Sequence, residues 1–231
     1  MEYKNICKAE FISRPNRFIA ELLIQGQRTN CHVKNTGRCK ELLTSKAVVY
    51  VERNMNPERK TPCSLIAVRK GERIVNIDSQ APNKVFYEAL LDRKIKLPGF
   101  EEITYVKAEK TYKRSRFDFY VESHEKKAFI EVKGVTLEEN GVAKFPDAPT
   151  VRGVKHILEL VQARREGYYA SIVFIIQMNR IQYFTPNDET HGEFGEALRL
   201  AAKEGVNILA YECDVTPCTI DVNGKECPIV L

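Results

Sequence analysis

The chain has 231 residues, of which 43% are hydrophobic and 29% are charged, an ordinary balance for a globular protein of one large or two modest domains. No apolar run reaches the roughly 18 residues that a membrane helix needs. The N-terminal stretch MEYKNICKAEF also lacks the apolar centre of a signal peptide. These features exclude a helical membrane protein and predict a cytoplasmic one.

The seven cysteines include no Cys-x-x-Cys pair. Cys213, Cys218 and Cys227 lie near the end of the chain, at spacings that do not match a structural zinc site. We therefore expect free thiols in a reducing compartment, with a zinc site as the alternative.

The net charge of +5 is uneven along the chain. Residues 1–82 contain 15 Lys and Arg against 8 Asp and Glu, a net of +7, whereas residues 83–231 contain 21 against 23, a net of −2. The difference predicts a polyanion-binding face on the first third of the chain. Random variation in surface lysine would give a similar difference.

The first third has the pattern of short strands separated by turns. Strands are predicted at residues 17–24, 28–33, 47–52, 65–68 and 73–78, and a short helical segment at 39–43. About five such strands are typical of a small barrel or sandwich. The sequence NTGR at 35–38 predicts a tight turn that needs Gly37 for its dihedral angles. The alternative is a phosphate site made by backbone amides and Arg38.

A junction at 79–82 divides the chain into predicted domains 1–82 and 83–231. Helices are predicted at 84–93 (capped by Asn83), 151–165 (capped by Thr150) and 193–203, strands at 102–109, 116–122, 128–133, 168–178 and 206–211, and a long loop at 134–149. The strand at 168–178 is almost wholly apolar, which indicates burial on both sides. The second domain therefore has the pattern of a mixed sheet flanked by helices.

Charged side chains lie at the ends of two apolar strands in SRFDFYVESHEKKAFIEVKGVTL, residues 115–137. The polar turn at 123–126 makes these strands a hairpin. Glu131 and Lys133 share a face because they are two residues apart on a strand, and Asp118 can lie opposite or diagonal to them. On spacing alone, a solvated face with a weak ion pair is the default interpretation of this pattern.

Asp-x(12)-Glu-x-Lys on adjacent strands is the pattern of PD-(D/E)xK, restriction-endonuclease-like nucleases. Hydrolysis of a phosphodiester needs a metal, and Mg²⁺ or Mn²⁺ prefers carboxylate and water oxygens. Asp118 and Glu131 are the predicted metal ligands, Glu88 on the preceding helix is the fourth member of the set, and Lys133 orients the attacking water.

A basic run leads into the Asp118 strand. It contains Lys113, Arg114 and Arg116, with Tyr105 and Tyr112 interleaved nearby. Cations interspersed with aromatic rings suit a nucleic-acid groove, although a solvated edge strand has the same composition.

Eight collinear blocks resemble the sugar fermentation stimulation protein A family over essentially the whole chain. They are RPNRFIAEL, CHVKNTGR, NKVFYEAL, SRFDFY, FIEVKGVTL, FPDAPTVRGVKHILEL, GVNILAY and PIVL. The resemblance implies an N-terminal OB-like β-barrel followed by a PD-(D/E)xK nuclease-like domain, with nonspecific DNA binding and, by inference, nuclease activity. It marks Glu88, Asp118, Glu131 and Lys133 as the nuclease-like set.

The same resemblance marks Asp147, Arg152, Lys155 and His156, which suit phosphate contacts if the loop before the helix lies beside the hairpin. A solvated helix face is the alternative. Family members commonly have an acid where this chain has Val151, and Val where it has Pro149, and we expect the missing acid to lie outside the metal's ligand set.

The function predicted from these features is binding of DNA, or RNA, with Mg²⁺- or Mn²⁺-dependent hydrolysis and no membrane association. A DNA-binding regulator of sugar utilisation with a non-catalytic site is the alternative. A sugar-pathway enzyme is a weaker third candidate, because no Gly-x-Gly-x-x-Gly cofactor motif is present.

Overall fold

The first part of the molecule is a closed barrel in a computed structural model that describes residues 1–35, 37–56 and 58–231. Its strands are β1 (Ile6–Asn16), β2 (Ile19–Ile24), β3 (Gln27–Val33), β4 (Val48–Arg53), β5 (Cys63–Lys70) and β6 (Arg73–Asn76). They are ordered β3-β2-β1-β4-β5-β6, and β3 also pairs with β5. That pairing closes five strands into the barrel and leaves β6 at its edge.

The second part is built on a six-stranded mixed sheet. Its elements are α1 (Ala81–Leu91), β7 (Tyr105–Tyr112), β8 (Ser115–Ser123), β9 (Lys126–Val135), β10 (Leu137–Glu139), β11 (Val142–Phe145), α2 (Val151–Arg165), β12 (Tyr169–Ile176), β13 (Tyr183–Pro186), α3 (Asp188–Lys203), β14 (Asn207–Val215) and β15 (Ile220–Glu226). The sheet order is β15-β14-β12-β9-β8-β7, with β9, β12 and β14 parallel. The predicted mixed sheet is therefore confirmed, and β12 is buried on both sides as expected.

Helices cover both faces of this sheet. On one face, Phe86 of α1 packs against Phe119 of β8, with ring centroids 4.9 Å apart. On the other face, α2 packs against α3 and places His156 6.2 Å from the ring of Phe117. The candidate catalytic strands therefore lie between α1 and α2.

Three structural expectations in the first half are wrong. Strand β1 is absent from the predicted strands, because register shifts after Phe11 and Ser13 interrupt its alternation. The segment at 39–43 is a turn rather than a helix, since Cys39 adopts a left-handed φ of 46°. Helix α1 begins at Ala81 with Pro82 in its first turn, a position that tolerates the missing N–H, so Asn83 lies inside the helix and is not its cap.

The predicted loop at 134–149 is also partly wrong. It contains β10 and β11, which form a three-stranded sheet with β13. The predicted cap of α2 is correct, because the Thr150 hydroxyl accepts a hydrogen bond from the Gly153 N–H at 3.1 Å. The domain boundary between residues 82 and 83 stays a prediction. Within residues 1–35, 37–56 and 58–231, no helix is long and apolar enough to cross a membrane.

Candidate active site at the β8–β9 hairpin

The ladder between β8 and β9 stops at Asp118. Their antiparallel pairing runs from Ser123 opposite Lys126 to Phe119 opposite Ile130, and then ends. Beyond it, Oδ2 of Asp118 accepts a hydrogen bond from the Val132 N–H at 2.8 Å. The carboxylate thus replaces a strand carbonyl, and the two strands separate where the acidic side chains lie.

The other neighbour of β8 shows the same break. The β7–β8 pairing omits the position where Glu109 faces Asp118, and Glu109 adopts a left-handed φ of 55°. Phe117 and Phe119, two residues apart, contact opposite faces of the sheet. Such residues normally share a face, so β8 is locally irregular at Asp118.

Glu131 is buried with one carboxylate oxygen satisfied and the other free. Only 2% of the residue's surface is exposed to solvent. Oε1 lies 2.5 Å from the Lys133 Nζ and 2.6 Å from the His156 Nδ1. Oε2 is buried and has no hydrogen-bond partner. A buried acceptor normally has a partner, so this oxygen indicates a site for a cation or a donor.

Arg152 determines which ring nitrogen of His156 carries the proton. Its Nε donates to the His156 Nε2 at 3.3 Å, which leaves Nδ1 as the protonated nitrogen that donates to Glu131. Arg152 and His156 are one helical turn apart on α2. These two residues therefore orient the Glu131 carboxylate, and His156, which is buried, is not a surface phosphate contact.

The two carboxylates have pKa values shifted in opposite directions. Burial raises the pKa of Asp118, and the charge of Glu131 raises it further, against the hydrogen bonds from Val132 and Asn83. Burial also acts to raise the pKa of Glu131, but hydrogen bonds and charge from His156 and Lys133 outweigh it, and the pKa is lowered. Glu131 is therefore the firmly ionised member and Asp118 the destabilised one.

The donor set fits a hard divalent cation that keeps most of its water. No cluster of three or more His, Cys, Asp or Glu side chains suited to a metal occurs in the described ranges. Mg²⁺ is commonly held by one or two carboxylates with waters completing its shell. Asp118 and the free Oε2 of Glu131 are such a pair.

The structure does not bring Glu88 to this pair. Its carboxylate lies 2.7 Å from the amino nitrogen of Met1, which also donates to the Ile220 carbonyl of β15. Strands β15 and β8 are four positions apart in the sheet, about 19 Å. Five residues of helix also rotate Glu88 by about 140° from Asn83. The prediction of Glu88 as a metal ligand is therefore wrong.

Asn83 occupies the place expected for Glu88. Its Nδ2 donates to Oδ1 of Asp118 at 2.9 Å. The sequence pattern does not reveal this role, because an Asn after the Ala-Pro of the junction has the pattern of a helix cap. The signal that could have found it is Pro82, which is favourable in a first helical turn and places the next residue on the helix.

Most of the predicted nucleic-acid-binding residues are exposed but not gathered at the pair. Lys113 forms an ion pair with Glu166, just after the end of α2, and Arg116 lies 3.3 Å from Glu109. Glu166 is ten residues, about 15 Å of helix, beyond His156. Lys113 is therefore remote from the candidate centre, contrary to expectation.

Arg114 lies in the turn between β7 and β8, beside Lys155 of α2. The Lys155 Nζ donates to the Arg114 carbonyl at 3.3 Å and lies 3.9 Å from Glu159. Both side chains are exposed. Exposed pairs of this kind are weak, so these cations remain available to a polyanion.

Arg38 lies on the barrel, in the turn predicted at 35–38. Thr36 of that turn lies outside the described residues. A Cβ on Gly37 would overlap Oδ2 of Asp147, and the predicted dihedral requirement stays a prediction. Glycine is needed because the turn packs directly against the loop that leads into α2.

Models of two families match the chain. The SfsA N-terminal OB domain matches residues 12–77, and the sugar fermentation stimulation protein RE domain matches residues 80–219. The barrel is therefore an OB domain, and the mixed sheet is the RE domain.

Curated relatives cover nearly the whole chain. A sugar fermentation stimulation protein homolog from Clostridium beijerinckii is 54% identical over 96% of each chain. One from Ruminiclostridium cellulolyticum is 56% identical over 97% of this chain and 98% of its own.

A solved structure has the same overall fold. It is the Pyrococcus furiosus SfsA in complex with Ca²⁺, which is 28% identical and has a TM-score of 0.89, covering 100% of this chain and 98% of that one. The chain matches two domain families in order, has relatives that are more than half identical and matches a solved structure over its full length. This chain therefore belongs to the sugar fermentation stimulation protein (SfsA) family.

Proposed function

We propose that this protein binds DNA or RNA and hydrolyses phosphodiester bonds with a divalent cation held by Asp118 and Glu131. The observation that carries the proposal is the buried, unpartnered Oε2 of Glu131 beside Asp118, whose pKa is raised. Perturbed carboxylates on neighbouring strands of an interrupted sheet are typical of a functional site.

The cofactor we propose is Mg²⁺ or Mn²⁺. Both prefer oxygen donors, as does the Ca²⁺ named for the Pyrococcus furiosus relative. When bound, such an ion neutralises phosphate charge and lowers the pKa of a water ligand.

The side chains of this protein have separate roles in the proposed reaction. Asn83 holds Asp118, and His156 holds Glu131, each through one hydrogen bond. Lys133 gives one N–H to Glu131 and keeps two further donors for the attacking water or a phosphate oxygen.

Binding without hydrolysis is the second candidate, and one observation favours it. With Glu88 bound to Met1 and Lys84, the centre has two carboxylates rather than three. A regulator that binds DNA needs no attacking water. The retention of Asp118, Glu131 and Lys133 in one interrupted hairpin supports hydrolysis instead.

The deciding experiment incubates the purified protein with labelled single- and double-stranded DNA and RNA, in Mg²⁺, Mn²⁺, Ca²⁺ or chelator. We expect cleavage in Mg²⁺ or Mn²⁺, with Asp118→Ala and Lys133→Ala each reducing the rate by at least about 100-fold. Asp214→Ala removes an exposed carboxylate and is the matched control.

Nucleic-acid affinity in chelator is measured beside the cleavage rate. Loss of Asp118 removes like charge from the phosphate path and should leave affinity equal or higher. Loss of Lys133 should weaken binding by about 1 kcal/mol. Wild-type cleavage by the Asp118 variant would exclude this site, and tight binding with no cleavage under any condition would favour the regulator.

A further inference from the structure

Four cationic side chains surround one cavity on the OB domain. The cavity has a volume of about 370 Å³. It is lined by Arg14, Asn16, Arg17, Gly37, Arg38, Lys40 and Leu43. We call it the basic cavity. No carboxylate lines it, and within the described ranges no Asp or Glu oxygen comes within 4.0 Å of a charged nitrogen of these four residues.

Arg14 forms the wall of the basic cavity through neutral partners alone. Its Nη1 donates to the carbonyls of Gly37 and Arg38, and its Nη2 to those of Arg17 and Asn35, at 2.7 to 2.9 Å. Its Nε is buried and has no partner. The guanidinium joins two turns of the barrel, yet its charge is not neutralised by any of these contacts.

An uncompensated cation next to three more is unfavourable without an anion. Like charges repel, and a partly buried charge is less well hydrated than an exposed one. Arg17, Arg38 and Lys40 are exposed. Their side chains can therefore converge on a ligand in the cavity that Arg14 lines, and four cations around one cavity match a phosphate group.

The basic cavity adjoins the loop that leads to the candidate active site. Gly37 packs against Asp147, and that loop enters α2, whose His156 binds Glu131. Asp147 does not line the basic cavity, although its carboxylate contacts Gly37, which does. The cavity thus adjoins the loop that leads into α2 and its His156.

We infer that the basic cavity binds a backbone phosphate of the same nucleic-acid strand that the Asp118–Glu131 centre acts on. This inference rests on the proposed function, and it adds the place where the OB domain holds the strand. Contact with phosphate alone carries no base or sugar information, so DNA and RNA should use the cavity alike.

The test compares two charge-matched triple variants of the full chain. The variant Arg17→Ala/Arg38→Ala/Lys40→Ala removes the three exposed cations of the basic cavity and retains Arg14, whose hydrogen bonds hold the two turns together. Arg28→Ala/Arg53→Ala/Lys8→Ala removes two Arg and one Lys from the opposite end of the barrel. The whole length of β2, about 20 Å, separates these residues from the cavity.

Affinity for labelled single strands of about 16 nucleotides is measured in chelator, across about 50 to 200 mM salt. The cavity variant should bind about tenfold more weakly, and the slope of log affinity against log salt should fall by about 0.7 for each phosphate that the variant no longer neutralises. The control should stay within about twofold of wild type. Equal weakening of both variants would overturn the inference and indicate only diffuse electrostatic attraction.

Two further arms separate this inference from the proposed function and from a free-phosphate site. If wild type cleaves nothing, the proposed hydrolysis is excluded. Weaker binding by the cavity variant would still support the basic cavity as a binding site for the strand. Inorganic phosphate should compete only at concentrations far above those at which the strand binds, because it offers a single phosphate and none of the strand's other contacts. Competition by phosphate at concentrations as low as those of the strand would show a small-anion site and overturn the assignment to a strand. Thermal melts confirm that both triple variants remain folded.

Discussion

Asp118→Asn is expected to stabilise the metal-free protein while it removes metal binding. Asp118 and Glu131 follow the last β8–β9 pair, Phe119 opposite Ile130, and the charge of Glu131 acts to raise the pKa of Asp118. Direct and diagonal neighbours on adjacent strands have Cβ atoms about 5 to 8 Å apart, so we take a carboxylate separation of about 6 Å. At an effective dielectric constant of about 20, their repulsion is about 3 kcal/mol.

The net gain is smaller, because Lys133 attracts Asp118 and two hydrogen bonds support its charge. Asparagine keeps the acceptor for the Val132 N–H, and Asn83 can turn its amide to accept from the new NH₂. We therefore expect a gain of about 1 kcal/mol, which raises the melting temperature by about 2 to 4 °C for a chain of this size.

The pH dependence follows from the direction of the pKa shift. Since the pKa of Asp118 is raised on folding, its stabilising contribution is present below the unfolded pKa and is lost as pH rises through the folded pKa. The advantage of Asp118→Asn should therefore be largest near neutral pH. It should shrink as the pH falls towards the ordinary aspartate value of 3.8.

The assay is thermal unfolding in chelator across this pH range, repeated with excess Mg²⁺, Mn²⁺ or Ca²⁺. A metal present at 100 times its Kd would stabilise wild type by about 2.7 kcal/mol and leave Asp118→Asn unchanged, which reverses their order. Asp214→Asn is the matched control, because Asp214 is exposed and also accepts from an asparagine. A lower melting temperature for Asp118→Asn in chelator at neutral pH would refute the reasoning.

Other expected outcomes test the partners of this pair. Glu131→Ala should lower the free energy of unfolding by about 3 kcal/mol, since it leaves Lys133 and His156 without their acceptor, and Glu131→Gln should cost less in denaturant titrations. His156→Ala should weaken metal binding by about 10- to 100-fold and shift the pH dependence of metal binding upward, because Glu131 loses a hydrogen-bond donor. His156→Asn should restore part of the affinity and part of the pH shift, both measured by calorimetric titration. Gly37→Ala should destabilise by about 1 to 3 kcal/mol, and adding Asp147→Ala should recover much of that loss if the Cβ–carboxylate contact is the cause.

Period-two patterns predict the β8–β9 hairpin, and helical periodicity predicts α2, because a strand or helix with one buried face repeats its apolar residues regularly. Strand β1 lacks this regularity, since its two register shifts move the apolar positions out of step. Strands β11 and β13 are only four residues each, too short for a periodic signal, and they are stabilised by pairing with each other. Their existence depends on contacts between distant segments.

The candidate site could be predicted only where its residues are close in sequence. Glu131 and Lys133 are two residues apart on one strand, so their shared face follows from strand geometry. Asn83 and Glu88 are both polar residues on one helix, and only the helix's start at Ala81 and its packing decide which one faces Asp118. The wrong choice of Glu88 comes from chemistry, since an acid is the better metal ligand, while the fold places an amide there.

The irregularity at Asp118 explains why this hairpin holds charged groups that a regular sheet would reject. A continuous β8–β9 ladder would satisfy Val132 with a carbonyl and leave no space between the strands. Here the ladder ends, and the Asp118 side chain accepts the hydrogen bond from the Val132 N–H at 2.8 Å. Glu131 is then buried with both of its donors on a single oxygen, which leaves the other without a partner. Each feature lowers stability locally, and a cation bound between the two carboxylates would offset both at once, because it satisfies the free oxygen and removes the repulsion.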